Sequence, residues 1–131
     1  MFSSQILGLS SSLIMTALLM STGYLQSKAH AQTVNSRAYY EYFRKQCAFP
    51  LYKMYVSDFN TASAKANSGI LPGMNIALAS NYQVKIGNCL TAITVISAEN
   101  REICRIGDRY FEQVSGYQGS YIAYQRNCGR Y

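Results

Sequence analysis

The chain reads as mainly α-helical: a small single-domain bundle stapled by two disulfides. Three observations lead there. Apolar residues recur every three or four positions over most of residues 35–128. Four cysteines, Cys47, Cys89, Cys104 and Cys128, stand in a short chain that opens on an export signal. No internal repeat, low-complexity tract or second domain interrupts it.

The export signal is read from residues 1–31. Gln5–Met20 is an apolar run of the length of a signal h-region and short of the roughly 20 residues a spanning helix needs. Ala29-His30-Ala31 supplies small residues at −3 and −1 of a cleavage site. The n-region is irregular, because the first positive side chain is Lys28. An uncleaved anchor is the alternative; the shortness of the run and Ser10, Ser11 and Ser12 within it argue against that reading. No cysteine closely follows the run, which disfavours a lipid-modified N-terminus. The domain expected after cleavage is 32–131, placed in a periplasm or secreted, with no stable membrane span.

Removing residues 1–31 also removes His30, the only histidine, and Lys28, so eleven basic residues face six acidic ones at a net charge of +5. A chain of this size buries only about 60–65% of its unfolded surface, so covalent staples help. An even cysteine count in an exported chain implies two disulfides. A four-thiolate zinc site is disfavoured by cysteine gaps of 42, 15 and 24 residues, since such ligands come in close pairs.

The first helix is expected to start at a cap on Asn35 or Ser36, with Tyr39, Tyr42, Phe43, Gln46 and Cys47 at helical spacing. Pro50 suits the first turn of a second helix, along which Leu51, Tyr55, Phe59, Ala62 and Ala66 repeat, and Gly69 suits its stop. Residues 67–73 form a turn-rich connection holding Ile70 and Leu71. From Met74 onward one long helix carries Ile76, Ala79, Gln83, Ile86, Leu90 and Ile93. The alternative is an α+β fold with a hairpin in 82–96, favoured by the β-branched run at 91–97 and a turn at Gly87-Asn88. Ile103, Gly107, Tyr110, Val114, Tyr117, Tyr121, Tyr124 and Cys128 then step by fours and threes, a heptad seam on a helix starting near Ser97. Gly116 and Gly119 each weaken that helix by about 1 kcal/mol relative to alanine, so a bend or break is expected near them. If 74–97 and 99–127 form an antiparallel pair turning near Glu99, Cys89 lies level with Cys104. Cys47 is then left to join Cys128.

Without histidine no Ser-His-Asp or Cys-His site can be assembled, and oxidised cysteines supply no thiolate. Carboxylates remain: Glu41, Asp58, Glu99, Glu102, Asp108 and Glu112. Four of these interleave with Arg101, Arg105 and Arg109 as on a solvated helix face. No cofactor motif, phosphate loop or metal-ligand cluster is present, so the reading has no catalytic residue, no cofactor and no metal.

Tyrosine is abundant, with eleven after residue 31, and tryptophan is absent. Tyr110, Tyr117, Tyr121 and Tyr124 lie on the seam and read as core or core rim. Tyr39, Tyr40 and Tyr42 cannot all face inward, so with Arg37 and Arg44 they form a candidate contact surface. Basic charge with aromatics also fits nucleic acid, which export disfavours. An acidic protein, an anionic envelope polymer or membrane headgroups fit the positive surface better.

Two functional classes follow. The first is a non-catalytic exported binding protein, such as an inhibitor or immunity protein against an envelope toxin or hydrolase, or an accessory subunit of a secretion machine. Its partner is another envelope or secreted protein. Its contact residues are Tyr39, Tyr40 and Arg44, with Ile70 and Leu71 either inserted into the partner or folded back onto the chain's own core. The second is a small cell-wall hydrolase using a carboxylate pair, with Glu102 and Glu112 the residues to test. N-terminal sequencing of the exported species is expected to begin at Gln32; a species beginning at Met1 would overturn both the export and the no-histidine arguments.

Overall fold

The computed structural model describes residues 29–131, with side chains described from Ser36 onward. All but the last three residues of the expected export signal lie outside these. Five helices follow in order: α1 (Ala29–Gln46), α2 (Phe49–Asn67), α3 (Pro72–Ser97), α4 (Arg101–Phe111) and α5 (Gln118–Cys128). Tyr39–Tyr131 form one compact unit, which holds the core. No helix among the described residues is long and apolar enough to cross a membrane.

Helix α1 differs from expectation at its start. It runs unbroken from Ala29, so Asn35 and Ser36 lie inside it and not at its start, there being no glycine or proline between Ala29 and Gln46 to interrupt it. Helix α2 opens with Pro50 in its first turn and stops before Gly69, which adopts φ +78°. Helix α3 is one helix and no hairpin occupies 82–96. Ile86, Leu90, Ile93 and Ile96 recur at helical spacing and are all buried, so packing overrides the strand preference of the β-branched run. The Thr94 hydroxyl donates to the Leu90 carbonyl at 2.8 Å, satisfying itself within the helix.

The heptad seam is folded in two. Helix α4 starts at the Asn100 cap, whose side chain accepts from the Glu102 and Ile103 backbone N–H groups, and ends at Phe111. Gly116, at φ +89°, turns the chain back and α5 returns. Tyr124 of α5 then lies flat over Gly107 of α4, where a methyl group would overlap its ring. Its hydroxyl donates to the Cys104 carbonyl at 3.0 Å.

This reversal corrects the disulfide pairing. The bonds are Cys47–Cys89 and Cys104–Cys128, where Cys47–Cys128 and Cys89–Cys104 were expected. The expectation treated 99–127 as one helix antiparallel to α3; the break at Gly116 instead brings Cys128 back beside Cys104. The α2–α3 hairpin likewise carries Cys89 back to Cys47 at the α1–α2 corner. All four sulfurs are bonded, so no thiolate remains for zinc.

The core centres on aromatic rings. Tyr110 packs against Phe43, Phe49 and Tyr52 with centroids 4.7–5.7 Å apart, and Phe111, Tyr121 and Tyr124 form a second group. Burial raises the phenol pKa of Tyr52 and Tyr110, and that of Tyr124 to about 12. The unfolded chain gives up these protons near pH 10, the folded chain only higher. Stability is therefore intact below pH 10 and falls as pH rises from 10 towards 12, on the order of 2 kcal/mol for Tyr124 by pH 12. Urea unfolding across that range is expected to show the decline, and Tyr124→Phe to make it shallower.

Candidate functional site at the tip of the α2–α3 hairpin

The connection between α2 and α3 is built almost wholly from its own backbone. The Ile70 N–H donates to the Lys65 carbonyl at 2.9 Å and the Gly69 N–H to the Ala66 carbonyl at 3.1 Å, a Schellman closure of α2 that needs the left-handed Gly69. Leu71 follows, also left-handed at φ 40°, a conformation that disfavours any residue with a Cβ. Pro72 then starts α3 with its fixed φ and no N–H to satisfy. Asn75 reaches back from the first turn of α3, its Nδ2 donating to the carbonyls of Ile70 at 2.7 Å and Leu71 at 3.3 Å.

Asn75 is the only polar side chain between Gly69 and Ala79, and it is buried. What remains outward is apolar. Ile70 is 51% exposed and Leu71 62%, and Met74, Ile76 and Leu78 are exposed too. The fold-back of Ile70 and Leu71 onto the chain's own core does not occur, for a reason of length. The buried stretch of α3 that meets α4 and α5 begins at Ile86, fifteen residues and about 22 Å along the helix from Leu71. The hairpin tip is an arm projecting past the core.

The other expected contact residues lie elsewhere. Tyr39 is half-buried against the core, Tyr40 is 40% exposed, and Arg44 is exposed. Arg44 stands one turn before Cys47, which is bonded to Cys89, so some 27 Å of α3 separates that region from Leu71. The five residues therefore do not form one surface. Sequence reasoning missed Met74 and Leu78 and set Ile76, which is exposed, on the same stripe as Ile86 and Leu90, because it fitted α3 to a single stripe. The available signal was that apolar residues at 74, 76, 77 and 78 go round the helix.

Charge is distributed as unevenly as hydrophobicity. No carboxylate occurs between Asp58 and Glu99; Lys65 and Lys85 are the only charged residues there. Lys85 stands over the Tyr55 ring at 5.7 Å, and Lys65 is exposed in the last turn of α2, next to the tip.

A second feature lies beside the α4–α5 turn. An open groove of about 260 Å³ is lined by Val56, Phe59, Gln83, Ile86, Val114 and Tyr117, and an adjoining one of about 350 Å³ by Asp108, Phe111, Glu112 and Tyr121. The Asp108 carboxylate facing Tyr121 raises its phenol pKa, with burial and Glu112 adding to the effect, and burial raises that of Tyr117. Glu102 is not part of this groove. It pairs with Arg105 at 3.7 Å on the outer face of α4 and stands about 15 Å along the axis from Glu112, too far for a glycosidase pair. Asp108 and Glu112, one turn apart, are the carboxylates brought together.

Compared with protein-family models, with curated proteins and with solved structures, the chain matches none.

Because Ile70 and Leu71 already face water, the Ile70→Asp, Leu71→Asp double variant is expected to change unfolding free energy by less than about 0.5 kcal/mol. Asn75→Ala strands the Ile70 carbonyl, while the Leu71 carbonyl keeps the backbone N–H of residue 75, and is expected to lower it by about 1 kcal/mol. Urea titrations followed by far-UV circular dichroism compare the two.

Proposed function

We propose that the chain is a non-catalytic binding protein that acts after export, an inhibitory or immunity component of the envelope or an accessory subunit of a secretion machine. One observation supports this reading: a disulfide-anchored base presents an arm whose outward side chains from Ile70 to Leu78 are apolar. Leaving an aliphatic side chain in water forgoes roughly 1.5–3 kcal/mol relative to full burial. A fold that holds Ile70, Leu71, Met74 and Leu78 outward on a turn closed by Gly69 and Asn75 is suited to a complementary surface. Its preformed shape lowers the ordering cost of association.

The alternative is a carboxylate-pair hydrolase, which the grooves move from Glu102 and Glu112 to Asp108 and Glu112. A general acid of that kind requires a carboxyl in an apolar pocket. Asp108 and Glu112 are both exposed at the rim, which favours the binding reading.

Sedimentation with isolated cell envelopes tests it. The chain is expected to co-sediment, and the Ile70→Asp, Leu71→Asp variant to remain in the supernatant while still folded. Retention of the double variant on envelopes would place the contact elsewhere. Release of peptidoglycan fragments that is lost in Asp108→Asn and Glu112→Gln would establish the hydrolase instead.

A further inference from the structure

We propose that the hairpin tip docks on an anionic lipid surface, with Ile70, Leu71, Met74 and Leu78 entering the headgroup–acyl boundary and Lys65 meeting the headgroups. The inference rests on the tip being the contact site and names its occupant.

Four observations point to lipid. First, the apolar side chains of the tip surround the start of α3. Relative to the buried Asn75, Met74 and Leu78 project to one side, Ile76 to the other and Ala77 outward. A groove on a partner protein covers one face of a helix, whereas a lipid interface surrounds an inserted end.

Second, the tip satisfies its own carbonyls. Those of Ile70 and Leu71 are taken by Asn75, the Ile70 N–H by the Lys65 carbonyl, and Pro72 contributes no donor, which leaves the N–H groups of the first turn of α3 to meet headgroup oxygens. Hydrocarbon demands such internal satisfaction; water does not. Third, the charge is of one sign. The forty residues between Asp58 and Glu99 hold two lysines and no carboxylate, and α3 begins without a side-chain cap, leaving the positive end of its dipole at the tip.

Fourth, the depth is that of an interfacial contact. Polarity returns at Ser80 and Asn81 on α3 and already at the exposed Asn67 and Ser68 on the α2 side, so the apolar stretch 70–79 is about 15 Å of helix at most. That is half a bilayer core, enough to dip into one leaflet and too short to span it.

The chain lacks tryptophan, so Met74→Trp places a single reporter at the tip and Tyr40→Trp a control on α1. Each variant, as the species beginning at Gln32, is mixed with vesicles of phosphatidylglycerol and phosphatidylcholine, or of phosphatidylcholine alone. A blue-shifted emission is expected for Met74→Trp with the anionic vesicles only, and no shift for Tyr40→Trp. In the Met74→Trp background, Ile70→Asp with Leu71→Asp is expected to weaken vesicle affinity tenfold or more, and Lys65→Gln about fivefold at low salt.

An unchanged Met74→Trp emission on anionic vesicles overturns the proposal, as does an equal shift on neutral ones or one that survives the double Asp change. If envelope sedimentation still depends on Ile70 and Leu71 while pure vesicles do not bind, the occupant is a protein. The binding reading then stands without the lipid. If neither depends on them, both fall.

Discussion

The fold depends on how the α1–α2 corner is closed. Between Gln46 and Phe49 the chain leaves one helix and enters another, and the last carbonyls of α1 have no partner within it. Two buried tyrosines supply the partners from a distance. The Tyr110 hydroxyl donates to the Cys47 carbonyl at 2.6 Å, and that of Tyr55 to the Gln46 carbonyl at 2.9 Å. Tyr52 closes the circuit by donating to the carbonyl of Tyr110 itself at 2.8 Å. Helices α1, α2 and α4 thus meet at one point, each through a group that would be costly to bury unpaired. Phenylalanine at Tyr110 would keep the ring contacts with Phe43, Phe49 and Tyr52 and leave the corner carbonyl stranded.

Around that corner the disulfides fix what a small core holds only weakly. In the chain-entropy model, cross-links of 42 and 24 residues restrict the unfolded chain by about 4 and about 3.5 kcal/mol. Cys47–Cys89 joins the corner to α3, and Cys104–Cys128 joins α4 to α5. Between them Asn127 donates to the Thr94 carbonyl and to the buried Ser97 hydroxyl, tying α5 to the end of α3. Every one of these ties lies at the base of the α2–α3 hairpin. None reaches the tip, whose geometry is set by Gly69, Leu71, Pro72 and Asn75 alone.

Helix class, the Pro50 start, the Gly69 stop and the break near Gly116 were legible because each is a local backbone property. The pairing of the cysteines was not. It depended on whether Gly116 merely bends a helix or reverses it, and the reversal is decided by Tyr124 finding the flat surface of Gly107, a contact seventeen residues away. Much of the tyrosine content was legible as buried or half-buried. Its purpose was not, since a heptad seam records which side faces inward and says nothing of which carbonyl a hydroxyl will meet. At the candidate site Ile70 and Leu71 were legible as residues in need of cover. Their distance from the core was not, because it follows from where α4 and α5 pack along α3.

The division between base and arm bears on why the exposed residues persist. An exposed apolar tip is a standing liability for self-association. Shortening the arm by whole turns of α2 and α3 would remove it without touching the corner, either disulfide or the Gly107–Tyr124 contact. The left-handed Leu71 sharpens the point: asparagine or glycine there would relieve the backbone and remove exposed apolar surface in one change. Folding alone therefore gives no reason for leucine at this position or for an arm of this length. The contact proposed at the tip would account for both, since an exposed leucine on a locally strained turn would gain from burial what it forgoes in the free chain.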